Sequence, residues 1–369
     1  MEHLLFKGAG QWDGRAIAQA MDRLGSDINA FTTRDYTCFH ARVLNPEAVT
    51  AYRLLKAMVT DAWILADDVQ REKNVILEEM RESQDDPDDV LEELLTRALY
   101  QDDSFTHDVL GTPDHVRRVN VARIRAFYQR YYRPEYMVLA VSGGGRDAVL
   151  NEARRDFVGS GVQTALPRQR PAPVLQLTRT HQVQDLEQVR LGLAVSAPAR
   201  YTTEYATALV ATAILGGQNN SRLWQRLREE EGLVYTVGTQ YTPDFDFGDM
   251  ATYLAVAPDN VDRAMDALNE EFVRMAEAGP THDELTQTCR ALYTMLVMAH
   301  EDPDTRVMRL GRHGLDQVLP WDFDTVAAKL SEVQGDAVKA LTRRWTHWSD
   351  VASAWVGPVP QSPRWVEWG

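Results

Sequence analysis

Glu72, Val75, Ile76, Glu79 and Met80 stand at i, i+3, i+4, i+7 and i+8, so in a helix they share one face. Two carboxylates on an otherwise apolar stripe carry chemical potential, because an unpaired carboxylate taken out of water costs several kcal/mol or shifts its pKa. Either a cation or a dense set of hydrogen bonds meets them, or the edge of the stripe is open and both face solvent. Glu2 and His3 supply a second acid–base and ligand pair, although adjacent Glu and His at the start of a sequence say little alone. His40, His107, His115, His181, His282, His300, His313 and His347 show no ligand-like spacing and read as surface or satisfied core positions. Cys38 and Cys289 are too few for a disulfide framework or a cysteine zinc site, and read as packed thiols. Gly143-Gly144-Gly145 lacks the Lys-Ser/Thr that a phosphate loop requires.

The carboxylate stripe belongs to a helix that Asp67 and Asp68 start and that runs past Arg81, with a solvated charged tail over Glu82–Glu93. Met1–Gly8 reads as a helix end with a glycine stop, and Arg15–Leu24 as a helix with Ile17, Met21 and Leu24 on one face. Asp27–Leu44 is strand material, and Asn45-Pro46-Glu47 starts a helix reaching about Ile64. The chain then states one plan twice. An amphipathic helix, Arg123–Tyr132, feeds the apolar run Met137–Val141 and a glycine; later Asp336–Trp345 feeds Val351–Val356 and Gly357. The second half opens on a strand, Gln188–Ser196, then helices Thr203–Leu215 and Ser221–Glu231 and strands Leu233–Tyr241 and Gly248–Ala257. The first half has no counterpart of that opening strand. The expected fold is therefore α+β: two similar domains, each a mostly antiparallel sheet with packed helices, the first lacking its opening strand or strands. The boundaries are 1–162, a linker at 163–178 carrying Pro167, Pro171 and Pro173, a second domain at 179–358, and a tail at 359–369. The Trp-rich end, Trp345, Trp348, Trp355, Trp365 and Trp368, reads as core plus a docked tail and not as a binding platform.

Composition narrows the class. With 369 residues, 44% hydrophobic and 25% charged, the chain is ordinary globular material. Its formal charge of −15 repels phosphate backbones and anionic lipid, so neither nucleic acid nor membrane is an expected partner. No apolar stretch approaches the roughly 20 residues of a membrane helix, and no signal peptide opens the sequence, so a cytoplasmic location is expected.

Met1-Glu2-His3-Leu4-Leu5-Phe6-Lys7-Gly8 resembles the back half of the inverted zinc-peptidase signature H-x-x-E-H, in which two His share a helical face beside a general-base Glu. In the M16, or pitrilysin and mitochondrial processing peptidase, family a third ligand follows about 76 residues after the second His, and 79 − 3 = 76. A supporting Glu stands seven earlier, at Glu72. Asn29-Ala30-Phe31-Thr32 resembles the edge strand that takes up extended peptide by β-augmentation. Leu215-Gly216-Gly217, Ser221-Arg222-Leu223 and Arg228 through Tyr235 resemble the second signature, whose Arg and Tyr are seven apart, as 235 − 228 = 7.

The resemblance implies a zinc-dependent metalloendopeptidase cutting extended or unfolded peptides inside a clamshell. Half of that clamshell is this chain, closed by an identical copy or another M16 chain. It implies Zn2+ on His3 and Glu79, Glu2 as base, Glu72 behind the ligands, Asn29, Ala30 and Phe31 on the peptide, and Arg228 and Tyr235 on its carbonyl. The sequence departs from the family pattern at one point. The first His of the motif would stand two residues before Met1 and is not in this sequence, leaving two zinc ligands where catalytic sites use three. The chain as given is therefore expected to be crippled, and the alternative is a non-catalytic M16-like peptide-binding or partner subunit.

Overall fold

The computed structural model describes residues 1–25, 28–101, 103–157, 172–317 and 322–358. The described residues fall into two compact units, one drawn from 1–82, 108–169 and 298–319, the other from 83–107, 170–297 and 320–369. Most of the expected linker, and the tail at 359–369, lie outside the described residues. Within the linker range, Gln176 and Thr178 donate their backbone N–H to the carbonyls of Leu99 and Ala98.

The chain opens on one helical turn, α1 (Glu2–Leu5), in which Leu4 and Leu5 are buried. The glycine stop expected at Gly8 is instead strand: β1 (Gly8–Ala9) pairs antiparallel with β2 (Trp12–Asp13). Glycine is needed there because a Cβ would stand 2.4 Å from the Trp63 ring. Asp13 caps α2 (Gly14–Leu24) by accepting from Ala16 N–H. The strand-rich stretch forms a hairpin, β3 (Ile28–Thr32) and β4 (Thr37–Ala41), with Asn29 opposite His40 and Phe31 opposite Cys38.

Asn45-Pro46-Glu47 forms a 3-10 turn that leads into the next helix. The helix after it, α3 (Ala48–Thr60), ends short of Ile64, whose left-handed backbone (φ 49°) no helix can include. The carboxylate helix α4 (Ala66–Asp85) follows as expected. Next come α5 (Pro87–Leu99), α6 (Asp103–Thr106), α7 (Pro113–Arg118), α8 (Val121–Tyr131) and α9 (Arg146–Asp156).

The run Met137–Val141, expected as a strand, has no ladder partner among the described residues. Its apolar side chains are used on helices instead. Val138 and Ala140 face Gly314 and Gly311 of the helix Pro303–Asp316, and Val141 packs on the cluster of Tyr52, Val149 and Ala153. The run is not buried, Val138 being 36% and Leu139 46% exposed, and strand pairing depends on a neighbour that an apolar run does not name.

The second unit contains β5 (Arg179–Gln182), β6 (Val189–Ala197), α10 (Tyr205–Thr212), β7 (Val234–Pro243) and β8 (Gly248–Val256). Its later elements include α11 (Val261–Ala278) and α12 (His282–Glu301); α13 (Pro303–Asp316) returns to the first unit. Then come α14 (Phe323–Ser331), α15 (Gly335–Arg343) and β9 (Ala352–Val356). The sheet order is β5-β9-β6-β8-β7, antiparallel except for the parallel pair β5–β9.

The alternation along β6 explains its two faces. Leu191, Leu193 and Val195 enter the large cluster with Val210, Leu254, Met265 and Trp355. Gly192 and Ala194 point the other way and admit α5: a Cβ on Gly192 would be 2.9 Å from Leu95. Both helices expected between Thr203 and Glu231 widen into π-helical turns, at Ala213–Gly217 and Trp224–Glu230. Trp345 and Trp355 are core residues, while Trp365 and Trp368 lie outside the described residues.

Candidate active site

Two apolar anchors aim the first residues of the chain. Leu4 packs with Ile64 and Val69, and Leu5 with Ile17, Leu54 and Met58, so Glu2 and His3 are turned away from the core. The stripe on α4 divides. Val69, Glu72 and Met80 are buried while Val75 is 49% exposed. The two carboxylates therefore have different fates: the Glu72 side chain is 9% exposed and paired, the Glu79 side chain 45% exposed.

The imidazole of His3 stands between them. Its Nδ1 is 3.1 Å from Glu72 Oε2, and its Nε2 is 3.8 Å from Glu79 Oε2. The other Glu72 oxygen, Oε1, is 2.8 Å from Lys7 Nζ. A carboxylate paired with an ammonium accepts only, so Nδ1 carries the hydrogen, and in the neutral ring Nε2 presents its lone pair toward Glu79. Glu79 Oε2 is itself buried without a hydrogen-bond partner. An orphaned carboxylate oxygen facing an imidazole lone pair repels it unless a cation lies between.

Glu2 is held from the hairpin. Thr32 Oγ1 donates to Glu2 Oε2 at 2.5 Å and lies 3.2 Å from Thr37 Oγ1. Thr37 in turn bonds the Tyr132 phenol. Burial raises the pKa of that phenol; the Thr37 bond opposes the rise and the Glu2 charge adds to it. On β3 the Asn29 side chain accepts from Ala30 N–H at 2.9 Å, and Phe31 packs edge-on to Tyr36. Among the described residues β3 pairs only with β4, so its second edge is open.

In the second unit, taken by itself, Arg228 lies over two rings. Its guanidinium carbon is 4.2 Å from the Trp224 ring centre and 5.6 Å from that of Tyr235, which is 69% exposed. Such stacking fixes the fork and leaves its N–H groups at the edges.

The chain is similar to known proteins over most of its length. The model described as "Insulinase (Peptidase family M16)" matches residues 1–113, and "Peptidase M16 inactive domain" matches 118–292. An uncharacterized zinc protease of Streptomyces coelicolor is 33% identical over 353 residues, covering 93% of this chain and 76% of the relative. The chain belongs to peptidase family M16. A second M16 relative by this likeness, an uncharacterized zinc protease of Bacillus subtilis, is 27% identical over 366 residues, 98% of this chain and 88% of its own. The fold is shared with solved structures. A protease from Helicobacter pylori superposes with TM-score 0.83 at 15% identity over 96% of this chain and 88% of its own. A peptidase M16 inactive domain from Pseudomonas fluorescens gives 0.79 at 22%, covering 98% and 88%. No helix among the described residues is long and apolar enough to cross a membrane.

Whether this M16 chain suits zinc is decided by its donors. Two ligands at about 2.1 Å from a tetrahedral zinc lie about 3.4 Å apart, close to the 3.8 Å between His3 Nε2 and Glu79 Oε2. The orphaned oxygen and the bare Nε2 thus fit two corners of a zinc site. Among the described residues no group of three His, Cys, Asp or Glu side chains is arranged to hold a metal, so this chain's own set stops at two. Glu72 is engaged behind His3, the usual place of a carboxylate that orients a zinc-binding imidazole.

The sequence assigned no role to Lys7, Thr32 and Trp224, which touch Glu72, Glu2 and Arg228, nor to Thr37 and Tyr132, which extend the hydroxyl chain from Thr32. One carried a usable signal: Trp224 stands four residues before Arg228, the spacing of helical neighbours. Lys7 and the hydroxyls carried none, since the contacts of Lys7 with Glu72 and of Thr32 with Glu2 exist only after the chain folds.

Proposed function

We propose that this M16 chain is the metal-bearing part of a zinc-dependent endopeptidase acting on extended or unfolded peptide. The observation that carries the reading is the convergence of His3 Nε2 and the unpartnered Glu79 Oε2, with Glu2 next in the chain. His3 and Glu79 would hold the ion, with a third ligand at the first His position of the motif, outside this sequence. When bound, zinc polarises the peptide carbonyl and lowers the pKa of water. Glu2 takes the proton: Thr32 occupies Oε2, which leaves Oε1 to accept it. The open edge of β3 pairs with the peptide backbone, Asn29 releasing the Ala30 N–H it now covers and Phe31 meeting the peptide side chains. Arg228 and Tyr235 are assigned to the peptide carbonyl and its developing oxyanion.

Partnership with a second M16 chain, identical or different, and a cytoplasmic location belong to the same reading. The second reading is a peptide-binding subunit that does not cut, which the same fold and open β3 edge would serve.

The test is cleavage of a quenched-fluorescent peptide by this chain lengthened at its start so that a His stands two residues before Met1. Zinc-dependent cleavage that Glu2→Gln abolishes supports the peptidase reading. Peptide binding without cleavage supports the subunit reading, and equal cleavage by both proteins removes Glu2 from the role of base.

A further inference from the structure

Lys7 sits one helical turn after His3, where α1 gives way to β1, and its backbone is fixed on both sides. Leu5 is fully buried before it, and Gly8 lies under Trp63 after it. Lys7 Nζ stands 2.8 Å from Glu72 Oε1, and Glu72 Oε2 is the atom that accepts from His3 Nδ1. The Glu72 side chain is buried, so its two oxygens have few alternatives. One is held by the ammonium and the other by the imidazole.

We infer that Lys7 is a positioning residue for the metal site, fixing the Glu72 carboxylate so that His3 stays in the Nδ1–H tautomer with Nε2 bare toward Glu79. The inference rests on the reading of His3 and Glu79 as ligands. Without Lys7, Oε1 loses its ion pair and keeps only the through-space attraction of the Met1 ammonium, and the carboxylate gains by turning toward solvent or toward the free edge of the ring. Either movement releases Nδ1. The ring then takes both tautomers, and the one with hydrogen on Nε2 cannot ligate a metal. Partners that orient a ligating imidazole are typically worth about 10–100-fold in metal affinity.

The experiment uses the whole chain labelled with 15N-histidine, at an alkaline pH at which the His3 15N shifts are those of a neutral ring. Two-bond 1H–15N spectra read the tautomer, and the His3 signal is assigned by its loss in His3→Asn. Wild type is expected to show the Nδ1–H pattern alone. Lys7→Met, which keeps the length of the side chain and removes its charge, is expected to show mixed tautomers, and Lys7→Arg to restore the wild-type pattern. Zinc competition against a chromophoric chelator is expected to show affinity lowered about tenfold in Lys7→Met and recovered in Lys7→Arg.

An unchanged His3 tautomer in Lys7→Met overturns the inference, whatever zinc does. If Lys7→Met fails to fold, Lys7→Arg alone decides: it must keep the Nδ1–H pattern, and a mixed one overturns the inference. If wild type shows the Nδ1–H pattern but takes up no zinc even when lengthened with the motif's first His, the peptidase reading falls. The tautomer series still judges Lys7.

Discussion

The hydroxyl of Thr32 donates to Oε2 of Glu2 across 2.5 Å, although the two residues are separated by 30 positions in the chain. This bond ties the candidate base to the last residue of the strand proposed to receive the peptide, so seating of substrate and placement of the base share one side chain. A hydrogen bond to a charged group is worth about 1.5–3 kcal/mol, and the exposure of Thr32 places this one at the lower end. In the chain lengthened to supply the first His, Thr32→Val should therefore lower kcat about tenfold with KM unchanged. Thr32→Ser should keep most of the rate.

Gly8→Ala should destabilise the protein by about 1–3 kcal/mol, because the added methyl meets the Trp63 ring where no space exists. Thermal unfolding reads the loss as a lower Tm. In a double-mutant cycle, Trp63→Leu should recover part of it, since the clash is with the ring itself.

Arg222 holds Glu284 through two bonds, Nε to Oε1 at 2.7 Å and Nη2 to Oε2 at 2.9 Å. Burial alone would raise the Glu284 pKa. The Arg222 and Thr281 bonds outweigh it and bring the carboxyl from its ordinary 4.5 down to about 2. A depressed folded-state pKa gives stability that is present above 4.5 and lost as pH falls toward 2. Unfolding midpoints measured between pH 5 and pH 2 (about the span of that loss) should fall less steeply for Glu284→Gln than for wild type.

Tyr235→Phe should leave the unfolding free energy within about 0.5 kcal/mol of wild type, as expected for an exposed side chain. In the lengthened chain it should nonetheless reduce peptide cleavage at least tenfold, the loss expected of an oxyanion donor being about 10²–10³. Unchanged cleavage would remove Tyr235 from the site.

Much of this arrangement was legible in the residues. The stripe of Glu72 and Glu79, read with the spacing from His3 that the family resemblance supplied, named side chains that the fold brings together, and the strand read at Gln188–Ser196 is β6. What stayed hidden depends on partners distant in sequence. Nothing in Met137–Val141 says that its apolar side chains meet helices and no strand, and nothing in Lys7 or Thr32 says which carboxylate each will find. Periodicity likewise could not separate an α-helix from one that widens at Ala213–Gly217, because both bury the same residues there.

The central claim is that His3 and Glu79 share one divalent ion. Zinc retained per chain after dialysis, measured by elemental analysis on the chain lengthened with the motif's first His, tests it most directly. The account predicts one zinc per chain in that protein, and loss of it in both His3→Asn and Glu79→Gln, each still folded by circular dichroism. Full retention of zinc by folded Glu79→Gln would contradict it.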